Sequence, residues 1–216
     1  MAATGPSLTV DVAERLVGQH VIAVNDAYKL IPSADILYAC DESWWKVHKG
    51  GEAFTGERWS SHQKGGSNDK TRAAARYGLR LVDGVAGDRF LTDGKISYGG
   101  NSGFQAVNLA ILFGAARVVI VGFDMREVSG KRHFFGDHPR PLRNGAGFDA
   151  WIKAFKVASR HLPSFVDIVN ATPGSAIKCF QMVDLDDEIR RPAPRRTCEI
   201  CKGIHSEKIS HEVGAP

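Results

Sequence analysis

Short apolar runs rich in β-branched residues alternate with segments of helical spacing along the first part of the chain. Residues 2–4 are predicted to end a first strand, and residues 9–16 to form a helix whose apolar side faces the core. Further strands are predicted at residues 21–24 and 36–40, and the second of these ends at Asp41. Because strands that alternate with helices favour a parallel sheet with helices packed on it, the sequence predicts an α/β fold with a mostly parallel sheet.

The second half of the chain continues this alternation. Residues 104–113 are apolar on nearly every face, which predicts a helix buried between the sheet and another layer. A strand is predicted directly afterwards at residues 118–121, and the spacing of apolar side chains predicts a helix at residues 148–162. Residues 166–169 are predicted as the last strand, and residues 172–175 as a tight turn that leads into a helix.

Residues 50–95 have a weaker pattern. Residues 58–60 and 79–82 have the composition of short strands, and the glycine-containing residues 65–69 have that of a loop. A flap over a binding site and an ordinary surface loop both fit this composition.

The most specific motif is YGGNSG at residues 98–103, which runs into the predicted apolar helix. Asn101 or Ser102 is expected to cap that helix, and the glycines, including Gly103, remove side-chain bulk near the backbone. Because the first N–H groups of a helix have no partner within it, this helix start favours a negatively charged small molecule.

Polar residues follow three of the predicted strands, at Asn25-Asp26, Asp41 and Asp124. Since parallel strands end at a common edge of the sheet, we expect them near the turn Gly5-Pro6-Ser7 and the helix start at residues 101–103. The amide of Asn25 suits a base or ribose, and the carboxylates suit hydroxyl groups or a divalent cation. Strand termination and helix capping are the alternative roles of the same residues.

The loop after Asp124 is dense in titratable groups, among them Arg132, Asp137 and His138. A histidine beside a ligand can take a proton from a hydroxyl group because its ordinary pKa is close to neutrality, and His138 is the preferred candidate. Asp137 is a carboxylate that would orient a neighbouring imidazole, and Arg132 or Arg140 is a cation for a leaving phosphate. An exposed loop with incidental histidines is the alternative interpretation.

The overall composition limits these roles. The chain has 216 residues, of which 43% are hydrophobic, enough for one domain with its own core. The net charge of +4 arises from basic residues scattered among acidic ones, so charge alone does not indicate a nucleic-acid partner. The sequence lacks a secretion-signal pattern and an apolar run of bilayer length, so we expect a cytoplasmic protein with no membrane span.

The C-terminal segment differs from the rest of the chain. A domain is predicted at residues 1–188, and residues 189–216 are predicted to consist of a basic, proline-containing linker, at residues 190–196, and a tail. The tail contains four residues of the types that hold structural zinc, namely Cys198, Cys201, His205 and His211. Two interpretations stay open: a compact zinc knuckle that contacts nucleic acid beside the basic linker, or a disordered tail with two free thiols.

Two glycine-containing motifs and one asparagine carry a family resemblance. These are Gly5-Pro6-Ser7, Asn25 after its strand, and Asn101-Ser102-Gly103 with the strand that ends at Gly122-Phe123-Asp124. On them the chain resembles a Rossmann-like superfamily of bacterial sialyltransferases that use a CMP-activated sugar, motility-associated flagellin glycosyltransferases and archaeal 6-hydroxymethylpterin diphosphokinase. It also resembles short phage and prophage proteins, which implies the host cytoplasm as location. The resemblance implies a three-layer sandwich over most of residues 1–185.

In the sialyltransferases, the corresponding turn, asparagine and helix start form the nucleotide pocket, and a later histidine is the base. The resemblance therefore implies His138 as base and nucleotide contacts at Gly5, Pro6, Ser7, Asn25, Asn101, Ser102 and Gly103. This chain differs from the family just before the turn: it has Ala3-Thr4 where the relatives often have a glycine or asparagine.

The expected function is glycosyl transfer from a nucleotide-activated donor of the CMP-sugar type to a hydroxyl acceptor. One alternative is diphosphate transfer from a nucleoside triphosphate, with magnesium held by Asp41 or Asp124. Another is a non-catalytic adaptor that binds a nucleotide or a nucleic acid.

Overall fold

The protein is described by a computed structural model that covers residues 1–142 and 147–192. Within these residues the strands are β1 (Ile22–Val24), β2 (Ile36–Tyr38), β3 (Glu57–His62), β4 (Leu79–Val85), β5 (Lys95–Ser97), β6 (Arg117–Ile120), β7 (Asp167–Asn170) and β8 (Gln181–Met182). The α-helices are α1 (Val10–Arg15), α2 (Glu42–Val47), α3 (Thr71–Tyr77), α4 (Ser102–Leu112), α5 (Phe148–Ser159) and α6 (Leu185–Arg190). A 3-10 helix spans Asn25–Lys29.

All pairs of adjacent strands in the two sheets are parallel, which confirms the predicted α/β class. Strands β1 to β5 form a five-stranded sheet in sequence order, curled like half of a barrel. Strands β6, β7 and β8 form a second, three-stranded sheet, also in sequence order.

Ala2 joins the two sheets. It pairs in parallel with Ala23 of β1 on one side and with Val121, directly after β6, on the other. The predicted strand at residues 2–4 is therefore a short pairing at the centre of the fold. Successive strands are added on one side of Ala2 up to β5, and the chain then crosses to the other side at β6. Such a reversal of strand order is where α/β sheets leave a crevice for ligands.

Apolar side chains cover both faces of the sheet. Ile22 and Val24 of β1 belong to one buried cluster, and Ala23 between them belongs to the other, as the alternation of side chains along a strand requires. The first cluster also contains Phe104 of α4 and Phe155 of α5, whose rings lie 5.2 Å apart. The second contains residues of α1, α2, α3 and α6.

Helix α4 is the buried helix that the sequence predicts. Every residue from Ser102 to Ile111 is buried, because the helix is apolar on almost all sides and is covered by the sheet and by α5. Asn101 is its cap, since its Oδ1 accepts the N–H of Phe104 at 2.8 Å. The helix therefore starts at a defined point beside the ends of the central strands.

Three predictions of secondary structure need correction. The weak region contains β3 and β4 at the expected places and the unpredicted helix α3, and the unpredicted strand β5 begins at its last residue. The last strand is β8 rather than the one at residues 166–169, and the turn at residues 172–175 leads to β8 instead of a helix. The missed strands β5 and β8 are short, and parallel pairing with β4 and β7 defines them more than their own pattern does. Helix α3 has only seven residues, too few to show a clear helical period.

Helix α6 crosses the predicted domain boundary at residue 188. Glu188 accepts from both Arg117 Nε at 2.6 Å and Arg117 Nη2 at 2.7 Å, which ties α6 to β6. In the described parts of the chain, no helix is long and apolar enough to cross a membrane.

Candidate functional site

A cavity of about 540 Å³ opens at the carboxyl ends of the central strands. Its wall includes Thr4 and Gly5 after the central pairing, Asn25 after β1, Asp41 after β2 and Asp124 after β6. The start of α4 contributes to the same wall. The cavity therefore lies at the reversal of strand order, which is the usual ligand position in an open parallel sheet.

Two glycines allow the chain segments on either side of the crevice to meet. Gly5 N donates a hydrogen bond to Gly122 O at 2.8 Å. A Cβ atom on Gly5 would lie 2.0 Å from Asp124 Oδ2 and 2.5 Å from Gly122 O. Gly122 has a φ of +71°, and a Cβ there would lie 2.4 Å from Ala3 O. Both positions require glycine, because any side chain would push the two segments apart.

Asp124 is the buried carboxylate of this cavity wall, with 1% of its surface exposed. Its Oδ2 accepts from Ser7 Oγ at 2.7 Å and from Ser7 N at 3.3 Å. Its Oδ1 is buried and has no hydrogen-bond partner within the described residues. Burial raises the pKa of Asp124 even though the hydrogen bonds from Ser7 act to lower it. An oxygen in this state suits a ligand that brings its own donor or cation.

The segment after β7 holds the Asp124 loop in place. Thr172 Oγ1 accepts from Phe123 N at 3.1 Å, and Ser175 Oγ donates to Phe123 O at 2.6 Å. Ala176 N donates to Asp124 O at 2.9 Å. The predicted turn at residues 172–175 is thus a support for the loop and is not part of the cavity wall.

Asn101, Ser102 and Gly103 line the cavity at the start of α4. Ser102 Oγ accepts from Cys40 N at 3.1 Å and lies 3.1 Å from Cys40 Sγ, so the helix start is tied to the end of β2. Burial raises the pKa of the Cys40 thiol to about 12, which keeps it protonated at neutral pH.

A buried polar network continues from this helix start. Gln105 Oε1 accepts from Ser61 Oγ at 2.8 Å, and Gln105 Nε2 donates to Tyr98 O at 3.0 Å. Lys70 is 2% exposed and donates to Ser61 O and Asn68 Oδ1. Burial lowers the pKa of Lys70. Ser61, Asn68, Tyr98 and Gln105 all line the cavity, so the network fixes polar groups of the wall.

Asp26 is a second fully buried carboxylate, one residue after Asn25. Its Oδ1 accepts from Lys29 Nζ at 2.5 Å, and its Oδ2 accepts from Trp44 Nε1 at 2.9 Å. His48 Nε2 lies 3.5 Å from Oδ1, and His138 Nδ1 lies 3.8 Å from Oδ2. Burial acts to raise the pKa of Asp26, but the hydrogen bonds from Lys29 and Trp44 lower it below the ordinary value overall. Asp26 is therefore a carboxylate that stays ionised.

His138 lies in the cavity wall with its side chain 10% exposed. Its ring centroid lies 4.6 Å from that of His133 and 5.0 Å from that of Phe135. His133 Nδ1 lies 2.9 Å from Thr4 Oγ1, which joins this loop to the central pairing. Burial lowers the pKa of both histidines, that of His133 to about 4, so both are neutral at neutral pH.

Asn25 has a φ of +49°, a left-handed conformation that asparagine tolerates better than most residues. This conformation begins the 3-10 helix and places Asn25 in the cavity wall beside the end of β1. Asp41 also lines the cavity and makes no side-chain cap to α2. Its carboxylate is therefore not used by the helix that follows it.

Helix α5 contributes two aromatic residues to the wall. Phe148 and Trp151 line the cavity with ring centroids 5.7 Å apart at an interplanar angle of 84°. A Cβ on Gly100 would lie 3.2 Å from Trp151 Cδ1, and one on Gly147 would lie 2.8 Å from Cε2. The two glycines therefore make room for the indole, whose flat surface suits a base or a sugar ring.

Most of the predicted site residues meet in this single cavity. Its wall contains Gly5, Asn25, Asp41, Asn101, Ser102, Gly103, Asp124 and His138. Pro6 and Ser7 are not among the residues of the wall, and Ser7 instead holds Asp124. The predicted zinc ligands Cys198, Cys201, His205 and His211 lie outside the described residues. Inside residues 1–142 and 147–192, no group of three or more metal-binding side chains occurs.

Sequence reasoning missed Thr4 and Trp151. It placed Asp26 beside Asn25 at the strand end, but it assigned no role to this carboxylate. The helical spacing predicts Trp151 on the apolar side of its helix, and nothing in that spacing shows that this side borders a cavity. Asp137 is the carboxylate predicted to orient an imidazole, and the structure also places Asp26, distant in sequence, opposite His138 Nδ1.

No protein-family model matches this sequence, and neither a curated protein nor a solved structure matches it.

Proposed function

We propose that this protein is a transferase that moves a glycosyl group from a nucleotide-activated donor of the CMP-sugar type to a hydroxyl acceptor. The proposal treats the fold as Rossmann-like, with helices on both faces of one parallel layer. The observation that carries it is the cavity of about 540 Å³, whose wall combines the turn at Gly5 with the helix start at Asn101, Ser102 and Gly103. Small-molecule pockets typically have volumes of about 300–1,000 Å³, so the space suits a nucleotide.

The donor phosphate would be bound by the first backbone N–H groups of α4. This helix has 11 residues, and its start lines the cavity. Free N–H groups and the helix dipole both favour an anion at such a start. The same amides stabilise the charge that grows on the phosphate as the glycosyl bond breaks.

The nucleoside would be held by the groups around the phosphate position. Asn25 offers an amide to the base or ribose, and Asp124 Oδ1 accepts from a hydroxyl or amino group of the ligand. Phe148 and Trp151 supply flat apolar surface. Each contact uses a group of the cavity wall.

His138 would act as the general base. Because burial lowers its pKa, the imidazole is neutral at neutral pH and can accept a proton. The acceptor oxygen bonds to the anomeric carbon, its proton moves to His138, and the bond from that carbon to the phosphate oxygen breaks. The nucleotide leaves with the bonding electron pair.

A thermal-shift screen with CMP, UDP and ATP tests the binding step, because a ligand of the native state raises the melting temperature. We expect CMP to bind, and Asn25→Gly to weaken its binding about tenfold, on the basis of about 1.4 kcal/mol for one lost polar contact. Glycine adopts the positive φ of this position without strain, so the variant removes only the side chain. If none of the three nucleotides shifts the melting temperature, the nucleotide site is disproved.

The catalytic step is tested with His138→Ala and a panel of CMP- and UDP-sugars. We expect nucleotide affinity to be retained and turnover to fall about 100-fold or more, the usual contribution of a general base. Undiminished turnover in this variant would remove His138 from the mechanism.

Diphosphate transfer is the second candidate, because the carboxylates of Asp41 and Asp124 line the same cavity. Mg²⁺ is commonly held by one or two carboxylates together with substrate phosphates, so these residues fit that ion. When bound, it would supply positive charge to the phosphoryl group being transferred. Omitting divalent cations separates the candidates, since only diphosphate transfer is expected to stop.

A further inference from the structure

We propose that Asp26 is a positioning residue for His138: its carboxylate orients the imidazole and stabilises the imidazolium that forms when His138 accepts a proton. That the proton comes from a hydroxyl acceptor rests on the proposed function. The contact between the two side chains is independent of that function, because it is present in the protein without a ligand.

The geometry places one oxygen of Asp26 opposite one nitrogen of His138. Oδ2 lies 3.8 Å from Nδ1, within the range of an ion pair but longer than a hydrogen bond. Catalytic contacts of this kind are often long before a ligand binds and shorten afterwards. The proton removed from the acceptor would then reside on an imidazole whose Nδ1 faces an anion.

The carboxylate of Asp26 is itself held in place. Lys29 Nζ donates to Oδ1 and Trp44 Nε1 donates to Oδ2, and only 1% of Asp26 is exposed to solvent. A carboxylate fixed by two donors cannot rotate away from His138 without breaking a buried hydrogen bond. Its lowered pKa keeps the negative charge present throughout the neutral range.

Several other charged groups act on His138, and they differ in sign. Asp137 and Asp41 favour its protonated form, whereas Lys29 opposes it. The ring of His133 lies beside it at a tilt of 55°, and His48 contacts the carboxylate of Asp26 at its other oxygen. Burial is the largest influence and opposes the charge, and Asp26 is the largest of the groups that favour it. Removing Asp26 should therefore lower the pKa of His138.

The test compares Asp26→Asn with His48→Gln as a matched control. His48 contacts the same carboxylate and is stacked on Trp44 at 4.4 Å, but it is not among the residues of the cavity wall. The pKa of His138 is measured by NMR titration of the imidazole in the full chain without ligand. The pH profile of turnover is measured with the donor that the wild type accepts.

In Asp26→Asn we expect the pKa of His138 to fall by about one unit, the usual size of an effect from a neighbouring opposite charge. The acid limb of the pH profile should move to lower pH, because the base then deprotonates earlier. We expect kcat to fall about tenfold or more while KM for the donor stays within about twofold. His48→Gln should leave kcat within about threefold, because the carboxylate of Asp26 stays opposite His138 in this variant. A merely structural role for Asp26 would not move the titration of His138.

Lys29→Gln gives a second test if Asp26→Asn does not fold. Lys29 is about half exposed at its side chain and opposes the protonation of His138, so its removal should raise the pKa of His138. An unchanged pKa of His138 in the folded Asp26→Asn protein, or in Lys29→Gln where that protein does not fold, overturns the proposal. A lowered pKa of His138 together with an unchanged kcat in Asp26→Asn also overturns the proposal. If the wild type turns over no donor, the proposed transferase function fails, while the titration still decides whether Asp26 acts on His138.

Discussion

Asp26 and Asp124 are equally buried, each with 1% of its surface exposed, and each follows a strand that ends at the cavity. Their environments are nevertheless opposite. Asp26 receives hydrogen bonds from an ammonium group and an indole, and its pKa is lowered. The carboxylate of Asp124 receives its hydrogen bonds from Ser7, and its pKa is raised.

The difference shows that burial alone does not decide what a carboxylate can do. Burial disfavours the charge at both positions, but only at Asp26 do the neighbours outweigh it. Asp26 is thus suited to act as a fixed negative charge beside His138. Asp124 retains an oxygen without a partner and is suited to meet a ligand.

The largest effect on stability is expected for Gly5→Ala, which disturbs the surroundings of Asp124. The new Cβ would lie 2.0 Å from Asp124 Oδ2, so the carboxylate and the backbone of Gly122 must move. We expect a loss of about 3 kcal/mol in the free energy of unfolding, measured by urea denaturation. Gly18→Ala is the control, because a Cβ there meets no atom within 4 Å and only its φ of +81° is unfavourable. It should cost about 1 kcal/mol. An equal loss in the two variants would contradict the close approach at Gly5.

A smaller loss is expected for Asp26→Asn. The substitution keeps the shape of the side chain but leaves Lys29 without its carboxylate and removes the charge that faces His138. We expect a loss of about 2 kcal/mol in the free energy of unfolding at pH 7, less than for a fully buried pair because Lys29 is half exposed. Urea denaturation measures it. A protein as stable as the wild type would show that the charge of Asp26 is not compensated by its neighbours.

The next effect is a pH dependence of the free energy of unfolding, which we attribute to His133 in the histidine cluster near Asp26. The pKa of His133 is about 4 in the folded protein, below the ordinary value near 6.5, so the unfolded chain binds more protons between these values. Stability should therefore fall as pH decreases through this window. We expect His133→Gln to reduce the loss between pH 7 and pH 5 by about 1 kcal/mol, allowing for solvent screening. Urea denaturation at both pH values measures the slope, and an unchanged slope would remove His133 as its source.

The smallest effect on stability is expected for Asp124→Asn. The amide oxygen still accepts from Ser7, and the buried charge is no longer present. We expect a change of no more than about 0.5 kcal/mol in the free energy of unfolding, because the removed charge was already disfavoured. CMP affinity should fall by about tenfold, the equivalent of one polar contact. The two variants to asparagine would then separate a structural charge from a ligand contact, and equal stability losses would abolish the distinction.

Much of the fold was predictable because it follows from local patterns. Helix α4 is apolar on nearly every side, so its sequence already indicates that it is buried. The strands β1, β2 and β6 end at polar residues, which mark the edge of a parallel sheet. The missed strands β5 and β8 have three and two residues, too short for a period of two to be seen. Their partners in the sheet, rather than their own sequence, define them.

The sequence by itself determined which polar residues stand at strand ends, and therefore that Asn25, Asp41 and Asp124 share the edge of the sheet with the start of α4. That inference needs only the two-residue alternation of strands and parallel connections. Tertiary structure alone decided the ionisation of the two carboxylates and the partner of His138. Those properties depend on contacts between residues far apart in the chain, such as Ser7 and Asp124, 117 positions apart. Coulomb and desolvation energies depend on distance in space, which no local pattern specifies.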